Sequence, residues 1–317
     1  MLKRSLNQNS EEPKFSVSPA AEDIAPGQGT LGQEAWRKFR RNRQALFGSV
    51  VLLIIVLSVL LGLFIYSTPI NKIDFAQSAH PPSWEHPFGT NDLGQDILAR
   101  LLYGGRISIA VGIFSMLVAI LLGTFIGAIS GFYGGLLDMM LMRFTDLCLA
   151  LPRLPLLLLV IFLFRDPIKA IAGEEVGIFV LIVLIVGGLN WMGVARLVRS
   201  GFLIVREMEF VTAARALGAS PQRLIWIHIL PNVMSPVLVA ATLSVSNAII
   251  TESTLSFFGL GFPPDVPTWG RMLYDGQNFL EFAPHMVLFP GTAIFLTVLS
   301  INYIGDGLRD ALDARLS

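Results

Sequence analysis

The chain has 317 residues, 53% of them hydrophobic and 15% charged, with a mean hydropathy of +0.65. Soluble domains usually carry about 25% charged residues, so a soluble core does not account for this composition. A net charge of zero gives no basic surface for nucleic acid, and the lone Cys148 excludes an internal disulfide.

Residues 1–33 are rich in Ser, Asn, Glu, Pro and Gly without apolar periodicity, and are expected to form a disordered cytoplasmic tail. The first thirty residues hold no apolar stretch, so the first apolar segment is read as an uncleaved span. From Gln33 to Arg43 the sequence turns basic, with Trp36 and Phe39 interleaved, which suits an interfacial helix or a positive-inside stop. Uncharged stretches then recur at Ala45–Tyr66, Ile107–Leu137, Val176–Ala195, Pro231–Thr251 and Met286–Gly305. Each is long enough to cross a hydrocarbon core about 30 Å thick as a helix. Met139–Phe164 is as long but carries Arg143, Asp146 and Arg153, and is counted as a sixth span. The expected fold is an all-α integral membrane protein of six transmembrane helices. Residues 34–106 then hold the interfacial helix, first span and outer loop, 107–309 the main transmembrane domain, and 310–317 the C-terminus.

Arg37, Lys38, Arg40, Arg41 and Arg43 precede the first span and are expected to hold the N-terminus in the cytoplasm. Alternation makes the Arg196–His228 loop cytoplasmic, in keeping with its five arginines, and returns the C-terminus to the same side. In the outer loop, Thr90, Asn91 or Asp92 is expected to cap a helix that lays Ile97, Leu98, Leu101 and Leu102 on the membrane surface. His80, His86, Asp92 and Asp96 share this loop, but their spacing matches no metal motif and no metal is expected. Ser115, Ala119, Gly123, Gly127 and Gly131 recur every four residues along the second span. Such a stripe of small side chains lets another helix backbone approach closely, here most simply within the same subunit. No phosphate loop, dinucleotide fingerprint or His-Glu-x-x-His appears, so no catalytic residue is assigned.

The cytoplasmic loop Glu207–Pro231 carries the strongest local signals. Phe210, Ala213, Ala214 and Leu217 form one apolar helical face bordered by Glu207, Glu209 and Arg215. Gly218 is expected to stop that helix in the left-handed region. Ser220 and Pro221 then supply an N-cap and first position for a second helix that runs into Leu230-Pro231. A helix–Gly–helix elbow of this kind is shaped for docking.

This elbow resembles the loop of the inner-membrane permeases of binding-protein-dependent ABC importers. Their pattern is Glu-Ala-Ala, three residues, Gly, nine residues, Ile, one residue, Leu-Pro. Ala213, Ala214, Gly218, Leu230 and Pro231 fall in register, while Thr212 replaces the Glu and His228 the Ile. Both departures, with His86–Asp96, Leu101–Arg106, Asp146–Pro152, Glu252–Gly261 and Pro267-Thr-Trp-Gly270, resemble the dipeptide, oligopeptide and nickel branch, as its second permease. The resemblance runs from about residue 34 to 309. It implies a multi-pass protein of the bacterial plasma (inner) membrane, pore-forming and without ATPase chemistry of its own. Its implied partners are a second homologous permease, two cytoplasmic ATP-binding subunits that carry ATP and Mg, and an extracytoplasmic substrate-binding protein. The implied coupling residues are Glu209, Thr212, Ala213, Ala214, Gly218, His228, Leu230 and Pro231.

Charges at membrane depth need partners or a wet wall. Arg143 and Asp146, three apart, are expected to pair on one helix. Glu252, late in the fifth span and without a local partner, is expected to serve the pathway or a gate, or else to bond a neighbouring helix. Asp146 and Arg143 are the other pathway candidates. A carrier of another type would keep six spans but has no use for the elbow.

Overall fold

Each element begins and ends on identifiable backbone chemistry. The computed structural model describes residues 31–312, so most of the N-terminal tail and the last five residues lie outside the described residues. Helix α1 (Leu31–Phe39) stacks Trp36 on Phe39 with ring centres 5.9 Å apart. Asn42 caps α2 (Arg43–Ile65), its Oδ1 accepting from the amides of Gln44 and Ala45 at 3.1 Å.

The next helix starts later than expected. Asn91 turns its Oδ1 to the amides of Leu93 and Gln95, at 3.1 and 2.8 Å, which favours a local turn over a helix. The cap is Asp96 instead, accepting from the Ala99 amide at 2.7 Å. From there α3 (Ile97–Tyr133) runs unbroken, so the expected surface helix is the first part of a long apolar helix. Ile97 and Leu102 are buried against protein and do not lie on lipid. The divisions drawn at 106 and 309 fall inside helices, because α3 begins before its uncharged run and α12 continues past its own.

Three of the expected straight runs are interrupted. Gly134 and Gly135, at φ +66° and +57°, end α3 and start α4 (Gly135–Ala150) in a conformation glycine takes at little cost. Helices α4 and α5 (Arg153–Ala172) meet at 87°. Leu151 sits extended at φ −70°, ψ 136°, because the ring of Pro152 bars the residue before it from helix. Helices α6 (Glu174–Gly188) and α7 (Trp191–Val205) bend by 41° at Leu189–Asn190. Gly187 and Gly188 weaken the last turn of α6, and Asn190 Nδ2 donates to the Val186 carbonyl at 2.8 Å.

Helices α8 (Glu209–Ala216) and α9 (Pro221–Arg223) form the elbow. A π-helical turn, Leu224–Ile229, joins α9 to α10 (Leu230–Phe257), and residues 221–257 make one 37-residue rod. The short α11 (Trp269–Gly276) precedes α12 (His285–Leu312). Among the described residues there is no strand beyond an isolated Thr90–Asp96 bridge. Four helices, or six if each bent pair is one span, are long and apolar enough to cross a membrane.

Helix α3 is the axis of the bundle. Its small-residue stripe faces α6 and α7 of the same chain. A Cβ on Gly123 would stand 2.5 Å from the Val194 Cβ, on Gly127 2.4 Å from the Ala195 carbonyl oxygen, and on Gly131 2.6 Å from the Phe202 Cβ. Ser115 and Ala119 continue the buried stripe, with Gly187 of α6 lying against the Ser115 carbonyl. Lipid offers no hydrophobic drive for association, so contact this close supplies the cohesion. Gly127→Leu is therefore expected to cost more than the ~1–3 kcal/mol of ordinary overpacking and to remove the monodisperse peak in detergent gel filtration. Gly188→Ala, where an added Cβ meets nothing within 4 Å, is the matched control and should leave that peak intact.

Candidate functional site

The elbow is tied to the bundle at both ends. Arg206 Nη1 donates to the carbonyls of Gly131 and Phe132 at 3.0 and 3.2 Å, closing the last turn of α3. Gly218, at φ +86°, ends α8 in a Schellman motif: its amide donates to Arg215, and that of Ala219 to Ala214. Ser220 Oγ accepts from the Arg223 amide at 3.4 Å, with Pro221 at the first helical position. At the far end Pro231 offers no amide to the helix. The wide π turn lies just before it, and Asn232 Nδ2 donates to the His228 carbonyl at 2.7 Å.

The apolar face expected on α8 is divided. Val211, fully buried, and Ala214 pack under the elbow on Leu224, Ile225 and Ile229. Phe210 (43% exposed) and Leu217 (90% exposed) stand outward, as does Ala213. Sequence reasoning missed Val211, although its three-residue spacing to Ala214 carried the signal. Thr212 and Glu209 are exposed, and the Thr212 hydroxyl bonds back to the Met208 carbonyl at 3.4 Å.

The membrane charges pair between helices. Asp146 bonds Arg196 of α7 at 2.5 Å, and Arg143 stays exposed with no ion pair among the described residues. The expected Arg143–Asp146 pair is thus corrected: Asp146 sits on the side of α4 that meets α7. Asp138 joins the same contact as a bidentate partner of Arg199, at 2.5 and 2.6 Å, and accepts from Ser130. Sequence reasoning counted Arg153 only as a charge. Its Nη2 donates to Asn190 Oδ1 at 2.8 Å and to Thr251 Oγ1 at 3.3 Å.

Glu252 is 0% exposed. Its Oε1 accepts from Ser256 and Thr268, both at 2.8 Å, so it faces protein and no open pathway. Thr268 caps α11, and the carboxyl therefore clips that helix to α10. Around the clip the segments at this end of the bundle interlock. Trp269 Nε1 donates to the Leu101 carbonyl at 3.0 Å, and its ring lies against Gly105. Asp275 lies 2.9 Å from Arg271 and 3.9 Å from Arg100; burial pushes its carboxyl up, against the pull of those two arginines. Asp96 Oδ2 takes both the Tyr66 hydroxyl and His86 Nδ1 at 2.7 Å. The bonds from Tyr66 and His86 hold the Asp96 cap of α3 in place, and no group of three or more His, Cys, Asp or Glu among the described residues converges on a metal-holding geometry.

Comparison with known proteins adds the family. Residues 119–317 match the model of the binding-protein-dependent transport system inner membrane component, and residues 30–82 the N-terminal TM domain of oligopeptide transport permease C. The dipeptide transport system permease protein of Alkalihalophilus pseudofirmus is 38% identical over 288 residues, covering 90% of each chain. The oligopeptide transport system permease protein of Bacillus subtilis is 35% identical over 314 residues, 99% of each chain. The glutathione transport system permease protein of Pectobacterium atrosepticum is 38% identical, covering 90% of this chain and 92% of the relative.

The Glu252 clip sets a test. Glu252→Gln keeps the acceptor for Ser256 and Thr268 and is expected to melt in detergent within a degree or two of wild type. Glu252→Leu leaves both hydroxyls without it, a loss of about 1–3 kcal/mol, and should speed tryptic cleavage at Arg271. Equal damage from both substitutions would mean that the charge itself is required.

Proposed function

This chain belongs to the family of binding-protein-dependent transport system inner membrane components, and we propose that it is the pore-forming permease subunit of an ATP-driven importer for peptides. The named relatives serve dipeptides, oligopeptides and glutathione, which supports a peptide or closely related small solute. The chain itself supplies no catalytic residue. ATP and Mg belong to two cytoplasmic ATP-binding subunits, a second homologous permease completes the pore, and an extracytoplasmic binding protein delivers the solute.

One observation carries the coupling part of this reading. A helix with an outward apolar edge, Phe210 and Leu217, stops at a positive-φ Gly218 and feeds a single 37-residue rod. Such an edge fits a groove on an ATP-binding subunit. Closure of two such subunits would move the elbow, and the rod would carry that motion across the membrane. The permease is then a two-state element biased from outside. Glu209, Thr212 and Ala213 are the exposed docking residues, while His228, Leu230 and Pro231 form the joint to the rod.

The reading sets both termini and the elbow in the cytoplasm, with each bent pair counted as one of six spans. With Cys148 replaced by Ser, Arg215→Cys is expected to react with an impermeant maleimide only from the cytoplasmic side, and Glu85→Cys only from outside. Reaction of both from one side would overturn the topology.

Gly218→Val tests the coupling. An added Cβ meets nothing within 4 Å, so the cost is confined to the backbone, about 1–2 kcal/mol. That is too little to unfold the bundle. The protein should remain inserted and abundant while transport falls severely and the loaded binding protein no longer stimulates ATP hydrolysis. Gln222→Ala, exposed on the other arm of the elbow, should be nearly silent. Normal transport by Gly218→Val at normal abundance would remove the elbow from the mechanism.

A further inference from the structure

Between the two broken spans and α10 lies an open cleft of about 400 Å³, with Arg153, Asn190, Ser244 and Asn247 among its walls. We infer that this cleft holds the carboxylate of the solute in transit, with Arg153 as the group that binds it. The inference rests on the reading of the chain as a peptide importer and names where in that importer the solute is held.

Four observations point the same way. The first is the cation itself. Arg153 is fixed by neutral groups only, the Asn190 carbonyl and the Thr251 hydroxyl. It forms no ion pair among the described residues, whereas Asp138 and Asp146 of α4 are taken by Arg199 and Arg196. Glu252, one residue beyond Thr251, is turned away into its clip with Ser256 and Thr268. A guanidinium has five donors in a fork that matches a carboxylate, and Asn190 and Thr251 both use Nη2, leaving the others for a ligand.

The second is depth. Asn190 has a 15-residue helix on either side of its bend, about 22 Å each way. It therefore sits near the middle of a hydrocarbon core about 30 Å thick. An unpaired cation there is costly unless a pathway uses it.

The third is the backbone. Helices α5 and α7, of 20 and 15 residues, begin at this cleft, and neither first turn has a side-chain cap. Their free amides add positive potential to that of Arg153. The fourth is size: about 400 Å³ lies within the range of sites that enclose small solutes. Ser244 and Asn247 on the α10 wall are neutral, as suits the amide portion of a zwitterionic peptide.

The test uses the reconstituted complex in proteoliposomes, with this chain, its second permease, the ATP-binding subunits and the binding protein. The probes are dialanine and trialanine, each as free acid and as C-terminal amide. Wild type should import the free acid in preference. Arg153→Gln should lower free-acid import at least about tenfold, the effect of one lost charge-assisted bond, and change amide import less than about twofold. Arg153→Lys should restore part of the preference. The same binding protein serves all variants, so its own selectivity cancels from the ratio. Equal loss of acid and amide import, unchanged import, or failure of Arg153→Gln alone to assemble would each overturn the carboxylate site. The last outcome would place a structural ion pair with the second permease there instead. Wild type importing no probe in either form would overturn the peptide reading and this site with it.

Discussion

The separation of α3 from α7 is the dimension on which the rest of the bundle is built. Water drives soluble helices together, but lipid is as apolar as their side chains, so only contact and polar bonding hold them. With Gly123, Gly127 and Gly131 under Val194, Ala195 and Phe202, α7 lies close enough to bring Arg199 and Arg196 to Asp138 and Asp146. It also sets the bend at Asn190 beside Arg153. Arg206 then ties the end of α7 to the end of α3 through the Gly131 and Phe132 carbonyls. A side chain on the stripe would displace all of these together.

The two ends of the bundle are organised differently. The end away from the elbow is locked by buried bonds: Glu252 to Thr268, Trp269 to Leu101, Asp96 to Tyr66 and His86. The elbow end is joined by a glycine stop and a π turn, which are both places where a helix bends at low cost. The bundle thus has a stiff end and a compliant end, and the elbow is part of the compliant one.

Much of this was legible in the residues. The Gly218 stop, the Ser220–Pro221 start and the small-residue stripe rest on local stereochemistry, and local stereochemistry can be read in sequence order. The broken spans were not, because a bent apolar helix has the same composition as a straight one. Leu151-Pro152 carried a signal in its proline, while Asn190 carried almost none. The start of α3 went to Asp96 because Asn91 turned its side chain to its own loop. Asp146 finds its partner 50 residues away, and Glu252, read as lacking a local partner, bonds Ser256 one turn on as well as Thr268, 16 residues away. The Ser256 partner was readable at helical spacing, but a single sequence cannot supply the approach of α4 to α7 or the return of α11.

The bends also govern how the chain is made. Arg153 leaves the ribosome 37 residues before Asn190 and 98 residues before Thr251. At bacterial synthesis rates of about 5–20 residues per second, the second interval lasts roughly 5–20 s. Asn190 becomes available after the first 37 residues, but Thr251 is absent until the whole interval has passed. Until α10 has been made, Arg153 lacks one of the two bonds that fix it, so the α4–α5 bend is completed by a sequence translated well after it.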